Sequence, residues 1–220
     1  MSKSLKKQVL EMTNDKIRPV IDNVYRESLR SILAEFGNLH YIDGNGKKIQ
    51  VKCIYGNPER IAGKLKADNT LILPMTTVVE TETLNDDTRR RYNPVVVSDK
   101  YWDKEKLRAR RILSLAPRPI NISYEINIWC KYKADLDMLR STIFSKFNPD
   151  VQLTTQFSRI SKLFLVSESD VGAVTVQDTE DRVLQKTITV SLETYIENPK
   201  FAITNTGQIV DFNINTDITS

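Results

Sequence analysis

The chain has a single histidine, His40, and only two cysteines, Cys53 and Cys130. A zinc centre or a Ser-His triad would have to rest on that one imidazole, and no HExxH, CxxC or GxSxG run surrounds these residues. Two cysteines are too few for a disulfide framework; each falls in a strand-like run, where a buried free thiol is the expected state. No apolar run approaches the roughly 20 residues that span a bilayer. The opening MSKSLKKQVLEMTNDK is polar and lacks the apolar centre of a secretory signal, so a cytosolic product with no membrane contact is expected. Seven glycines and eight prolines in 220 residues exclude collagen-like or low-complexity material. Gly44-Asn45-Gly46 precedes a strand instead of opening a helix, the wrong order for a phosphate cradle. Asp135 and Asp137 are spaced i, i+2, which points their carboxylates apart on a helix and argues against a paired acid/base site. No catalytic residue, cofactor or metal follows from the residues, and an enzyme is not expected.

What is present is ordinary bulk with an uneven charge. Hydrophobic content of 40% and charged content of 27% fit one folded domain over 1–220, long enough to bury a core without staples. The net charge is +4. Between Asp86 and Arg118 ten basic residues face five acids, so that stretch is +5 and the remainder −1. The positive charge therefore lives in an insert at 85–117, whose segments YNPVVVSDKYW and ARRILSLAP read either as two arms of an extended hairpin or as a loop that orders on binding. A loop this long is uncommon in a compact domain unless it has a use.

Along the rest of the chain the periodicities are legible. Ile17, Val20, Ile21, Val24, Tyr25, Leu29, Ile32, Leu33 and Phe36 fall at i, i+3, i+4, i+7 spacing and predict a helix from an Asp15 cap to Gly37-Asn38. Asp43 to Gly46 is a reversal signal, and KIQVKCIY then alternates with Ile49, Val51, Cys53 and Tyr55 on one face. Asn57-Pro58 opens a short helix. NTLILPMTTVVETETL is a strand, with Pro74 marking an edge, a bulge or a bend. VQLTTQF, KLFLVSES, AVTVQD and VLQKTITVSLETYI read as further strands, the last through Val183, Ile188, Val190, Leu192, Thr194 and Ile196. Residues 201–220 form a polar tail with a short strand near Ile209.

Residues 118–149, RPINISYEINIWCKYKADLDMLRSTIFSKFNP, change period halfway. Ile120, Ile122, Tyr124, Ile126, Ile128 and Cys130 form one face of a strand; Asn121, Ser123, Glu125, Asn127 and Trp129 form the other. A helix follows from Ala134-Asp135, with Leu136, Leu139, Ile143, Phe144 and Phe147 inward, and Asn148-Pro149 stops it. The fold class expected is α/β of the α+β kind: a mixed, mostly antiparallel sheet packed by an N-terminal helix and a helix at about 134–147, with the basic insert extending from it.

This stretch resembles the tail-sheath stabiliser and completion proteins, or tail terminators, of contractile-tailed bacteriophages. Pro119-Ile120, Tyr124-Glu125, Ile128, Lys131-Tyr132, Asp135, Ile143, Phe147 and Pro149 carry the similarity, with weaker echoes at Ile72-Leu73-Pro74 and Thr187 to Glu193. The resemblance implies a structural virion protein: a homo-oligomer, a ring of six copies, that caps the tail tube and the last sheath ring and joins the tail to the neck. Its partners would be sheath and tube proteins, neck or connector proteins, and DNA passing through the lumen. It would be assembled in the host cytoplasm and sit at the neck-proximal end of the tail. The acidic, extended C-terminal tail of some members is short here.

The candidate contact residues are Arg89, Arg90, Arg91, Tyr92, Tyr101, Trp102, Arg108, Arg110, Arg111, Trp129 and Glu125. The arginines admit three readings: docking on acidic partner subunits through guanidinium forks, DNA contact by a nucleic-acid-binding module, or a solvated loop. Trp129 lies on the polar face of its strand, where a large aromatic invites a partner or an overlying helix. Tyr124 and Glu125 read as subunit contacts or, respectively, as core and solvated surface. His40 reads as a hairpin residue near a helix end.

Overall fold

The computed structural model describes residues 9, 21–42, 46–58, 60–61, 73–90, 95–103, 108–147, 150–153, 161–175, 182–196, 198, 201–203 and 209–211. The fold is α+β. Among the described residues, beside the start of a short helix at Pro58, the helices α1 (Ile21–Gly37) and α2 (Lys133–Lys146) accompany twelve strands. These are β1 (His40–Ile42), β2 (Lys48–Gln50), β3 (Lys52–Tyr55), β4 (Met75–Asn85), β5 (Val96–Asp103), β6 (Arg108–Leu115), β7 (Arg118–Cys130), β8 (Val151–Leu153), β9 (Ser161–Thr175), β10 (Arg182–Ile196), β11 (Phe201–Ile203) and β12 (Ile209–Asp211). They form a hairpin β1-β2, a six-stranded sheet ordered β3-β4-β7-β10-β9-β8 and a four-stranded sheet ordered β12-β11-β6-β5. The chain groups into two compact units: residues 26–84 with 120–194, and residues 1–25, 85–119 and 195–220.

The unit containing the six-stranded sheet begins with most of α1. Ser28, Ile32 and Phe36 are buried at i, i+4 spacing, continuing from Val24, while Arg26 and Arg30 are exposed. The helix ends at Gly37, and Leu39 N–H donates to the Phe36 carbonyl. Its start at Asp15 and Pro19 lies outside the described residues. In β1-β2, His40 pairs with Gln50 and Ile42 with Lys48. Gly46 in the connection has φ of 78°, a conformation glycine adopts without steric cost.

The expected single run 48–55 is divided. Val51 turns its N–H to the Leu39 carbonyl at 2.9 Å. β3 then leaves the hairpin and pairs in parallel with β4, Lys52 opposite Met75 and Tyr55 opposite Val78. Tyr55 is consequently exposed, not inward. A parallel pair needs a crossover, and the helix opening at Pro58 lies in it: Ile61 N–H donates to the Asn57 carbonyl. The rest of that helix lies outside the described residues. β4 starts immediately after Pro74, so the proline bounds the strand and removes no donor from its ladder.

β7 is central and mostly apolar on one face. Ile120, Ile122, Tyr124, Ile126, Ile128 and Cys130 are all buried, each large side chain worth roughly 1.5–3 kcal/mol. Asn127 and Trp129 on the other face are buried too. Asn127 meets Gln185 and Thr187 of β10, which fixes the faces of both strands. The Ile188, Val190, Leu192 and Thr194 side shares the apolar face of β7, whereas Val183 lies on the opposite face beside Trp129. The expected placement of Val183 with Ile188 is corrected: the two differ by five residues, an odd step in a period of two. α2 covers the Ile188 face, because its Arg140 meets Glu168, the register partner of Ile188. Leu136, Leu139 and Ile143 are its buried residues, and Lys146 Nζ reaches Glu35 Oε1 of α1 at 2.6 Å. Asn148-Pro149 lies outside the described residues.

AVTVQD is not a separate strand; β9 runs unbroken to Thr175 and pairs antiparallel with β10. Two register shifts, between Gln185 and Lys186 and between Thr189 and Val190, leave Val171 and Val166 without opposite residues, so both bulges lie on β9.

In the other unit, β5 and β6 pair antiparallel from Val96↔Leu115 to Asp103↔Arg108. β11 adds to β6 with Phe201 opposite Leu113, and β12 adds to β11. Val9, Leu113, Leu115 and Phe201 form its buried cluster, flanked by Val96. The segment read as a polar tail thus begins with a strand whose Phe201 is fully buried. Residues 212–220 lie outside the described part.

Candidate assembly interface

The basic stretch is held at its base by hydrogen bonds that the sequence pattern did not reveal. Asp86 N–H donates to the Pro119 carbonyl, Ala116 N–H to the Val95 carbonyl at 2.8 Å, and Asn198 Nδ2 to the Ala116 carbonyl at 2.7 Å. Asp86 Oδ1 accepts from the Thr88 hydroxyl, the Thr88 N–H and the Arg89 N–H, an Asx-type turn. Arg89 Nε donates to Asp86 Oδ2, and its guanidinium lies 5.1 Å from the centre of the Tyr195 ring. Asp-x-Thr-Arg was the available signal, since a short acid two residues before a threonine favours such a turn.

The Thr88 hydroxyl, then Arg89 through its side chain and backbone N–H, hold the Asp86 carboxyl well below its ordinary value of 3.8. The folded-state value is the lower one, so the resulting stabilisation is complete above 3.8 and is lost as pH falls through the folded value. Asp86→Asn is therefore expected to melt below the parent near neutral pH, with the gap narrowing as the solution is acidified below 3.8. Thermal melts of both proteins across pH check this; a gap that widens in acid would contradict it.

The candidate residues separate. Arg89 is committed to Asp86 and Tyr195, with its side chain 23% exposed. Arg90 is exposed. Arg91 and Tyr92 lie outside the described residues. Tyr101 and Trp102 fall on β5, and Arg108, Arg110 and Arg111 on β6, with Tyr101 in register with Arg110 and Lys100 with Arg111. Arg111 is exposed and its Nε donates to Ser98 Oγ at 2.9 Å. Glu125 is half-buried.

Of the two readings of Trp129, a partner or an overlying helix, the structure shows the helix. Trp129 is 1% exposed, packs with Ile61, Met75 and Val183, and donates from Nε1 to Thr77 Oγ1 at 3.3 Å. It is core, because Ile61 of the short helix after Pro58 covers that end of the face. Tyr124 is also fully buried. His40 sits in β1 as a hairpin residue.

A second charged group went unnoticed in the sequence because its members are far apart in the chain. Arg140 meets both carboxylate oxygens of Glu168, at 2.7 and 2.8 Å. Lys186 Nζ reaches Glu168 Oε1 at 2.6 Å and Asp170 Oδ1 at 3.1 Å. The Glu168 hydrogen bond raises the Lys186 pKa. These pairs tie α2 to β9 and β10. Burial, and then the charge of Asp135, push the Cys130 thiol up to about 12, and burial raises that of Cys53; neither is a nucleophile at neutral pH. Among the described residues no group of His, Cys, Asp and Glu can hold a metal ion, and no helix is long and apolar enough to cross a membrane.

Long paired strands, charges that join elements and a basic hairpin anchored at its base are what the described residues bring together. The family model described as T4-like virus Myoviridae tail sheath stabiliser matches residues 23–219, and the chain belongs to that family. No curated protein matches it. Membership places the chain among the structural proteins of contractile phage tails.

Proposed function

We propose that copies of this chain close into a ring of six that caps the tail tube and the last sheath ring and presents its other side to the neck. The observation that carries this reading is the family match across 23–219, which takes in both compact units. The physical mechanism is termination: a heterologous stack grows only while the next face matches, and a ring with two unlike faces ends it. The sheath is the partner that the family description names; tube and neck proteins, and DNA in the lumen, complete the set. Docking of the basic stretch on acidic partner surfaces accords with exposed Arg90 and Arg111. The rival reading, a nucleic-acid-binding module, has less support, because Arg89 is spent within the subunit.

Native mass spectrometry, followed by negative-stain images down the symmetry axis, tests the ring. The expected mass is about six times 25.3 kDa, with interfaces of the obligate size, over roughly 2,000 Å². A strict monomer at every concentration, even with sheath and tube proteins present, overturns the proposal.

A further inference from the structure

β9 departs from simple alternation twice, and the two departures bracket one short window. Its pairing with β10 runs from Leu163↔Leu192 to Leu165↔Val190 and skips Val166. It continues from Ser167↔Thr189 to Asp170↔Lys186, skips Val171 and resumes at Gly172↔Gln185. Directly opposed residues of an antiparallel pair share a face. One extra residue therefore turns every later side chain over, and a second turns them back. The window 167–170 is inverted relative to the strand on either side of it. Ile188, Val190 and Leu192 lie on the face that α2 covers, so Leu163, Leu165, Glu168 and Asp170 lie there too, beside Lys186. Ser167 and Ser169 take the opposite face with Thr189 and Thr187.

The hydrophobic pattern does not ask for this inversion. Unbroken alternation from Leu163 and Leu165 would give the α2 face Ser167, Ser169 and Val171, all uncharged, and would send Glu168 and Asp170 to the other face. The observed register instead breaks the ladder twice and draws charge out of water, which is unfavourable unless the charges are paired. The pairing is complete. Lys186 Nζ lies 2.6 Å from Glu168 Oε1 and 3.1 Å from Asp170 Oδ1, while Arg140 of α2 meets both oxygens of Glu168. Lys186 is 10% exposed and Glu168 15%. Both cations stand on the α2 face, so they reach these acids only while the window is inverted.

We propose that residues 167–170 form a two-position register switch. In the position seen, Arg140 and Lys186 hold the window inverted between the bulges at Val166 and Val171. When that hold is lost, the bulges are absorbed and β9 returns to straight alternation. Glu168 and Asp170 then replace Ser167 and Ser169 on the opposite face, and the pairing beyond the window shifts by the two absorbed residues. The face that carries Thr187 and Thr189 thereby gains the two negative charges of Glu168 and Asp170. Every member of the switch lies in one compact unit of one subunit, so it operates whether or not copies close into a ring.

Thiol exposure in the full chain tests the switch. Cys53→Ser removes the half-buried thiol and leaves fully buried Cys130 as an internal control. Ser167→Cys then places a thiol at an exposed position opposite Thr189. In the straight register that thiol stands opposite Ile188, in the place where Glu168 is now 15% exposed. A water-soluble maleimide is expected to label it quickly while the ion group is intact. With Lys186→Met and Arg140→Met added, labelling is expected to slow at least about tenfold, because a covered thiol reacts only when the structure opens. A salt bridge with a merely structural role would give the reverse, since its loss loosens the fold and speeds labelling. Lys186→Arg keeps the charge and is expected to label at the parent rate; slowing there overturns the proposal. Labelling of the double variant at the parent rate or faster, with Cys130 still protected, overturns it as well. Where the stranded acids unfold the chain, Cys130 labels too, and Lys186→Met with Glu168→Ser and Asp170→Ser, which strands no buried charge, decides the matter. Slow labelling in that neutral set supports the switch, and labelling at the parent rate or faster overturns it.

Discussion

Trp129→Ala is expected to lower the free energy of unfolding by about 3–5 kcal/mol, the range for emptying a large aromatic site in a core. The side chain is 1% exposed among Ile61, Met75 and Val183, with Ile54 and Leu73 packed against the cluster. These neighbours come from β3, β4, β10 and the short helix after Pro58, so a single removal loosens contacts with several elements. A domain is stable by only about 5–15 kcal/mol, and the variant is expected to lie close to unfolding at growth temperature. Trp129→Phe keeps most of the ring volume and loses the N–H donated to Thr77, a smaller change of about 1 kcal/mol. Urea melts followed by circular dichroism separate the two. Were Trp129 a partner contact, the alanine variant would melt like the parent and fail only in assembly.

That contrast shows what can be read from the letters. β7 and α2 were visible in 118–149 because the apolar residues repeat at two and then at three to four, and those periods survive folding unchanged. Alternation also assigned Trp129 to its face correctly. What alternation cannot say is whether that face is covered, since the cover comes from Ile61, distant in the chain. The same limit hid the division at Val51, where the hydrophobic period continues while the hydrogen-bond partner changes from β1 to β4. β11 was hidden in a polar context: Phe201-Ala202-Ile203 is a three-residue apolar run between polar ones, and the burial of Phe201 depends on Leu113, Leu115 and Val9. The charge of 85–117 was legible, but its use was not. Only coordinates show Arg89 turned onto Asp86 and Tyr195.

Open strand edges belong to the same lesson. Sequence shows β9 as two strands and leaves β5 open between a hairpin arm and a loop, and β propensity cannot report whether a strand has neighbours on one side or two. Their open edges become visible only in the strand order, where β8 is too short to cover β9 and nothing described follows β5.

Asn127→Ala is the second substitution with a large expected effect, and its size comes from the groups it strands. Asn127 is 1% exposed, and its Oδ1 accepts from Gln185 Nε2 at 3.0 Å and from the Thr187 hydroxyl at 2.6 Å. Gln185 and Thr187 are themselves buried. Removing the acceptor leaves both donors dry, at about 1–3 kcal/mol for each unsatisfied group. The network also links β7 to β10 at the centre of the sheet, where a slip of one residue would turn every side chain to the wrong face. Replacing all three polar groups together, as Asn127→Leu, Gln185→Leu and Thr187→Val, removes the demand as well as the supply. The triple variant is therefore expected to regain most of the stability lost by Asn127→Ala. Equilibrium denaturation of the single and triple variants measures this directly. Independent, additive losses across the three positions would show that the groups do not act as one network.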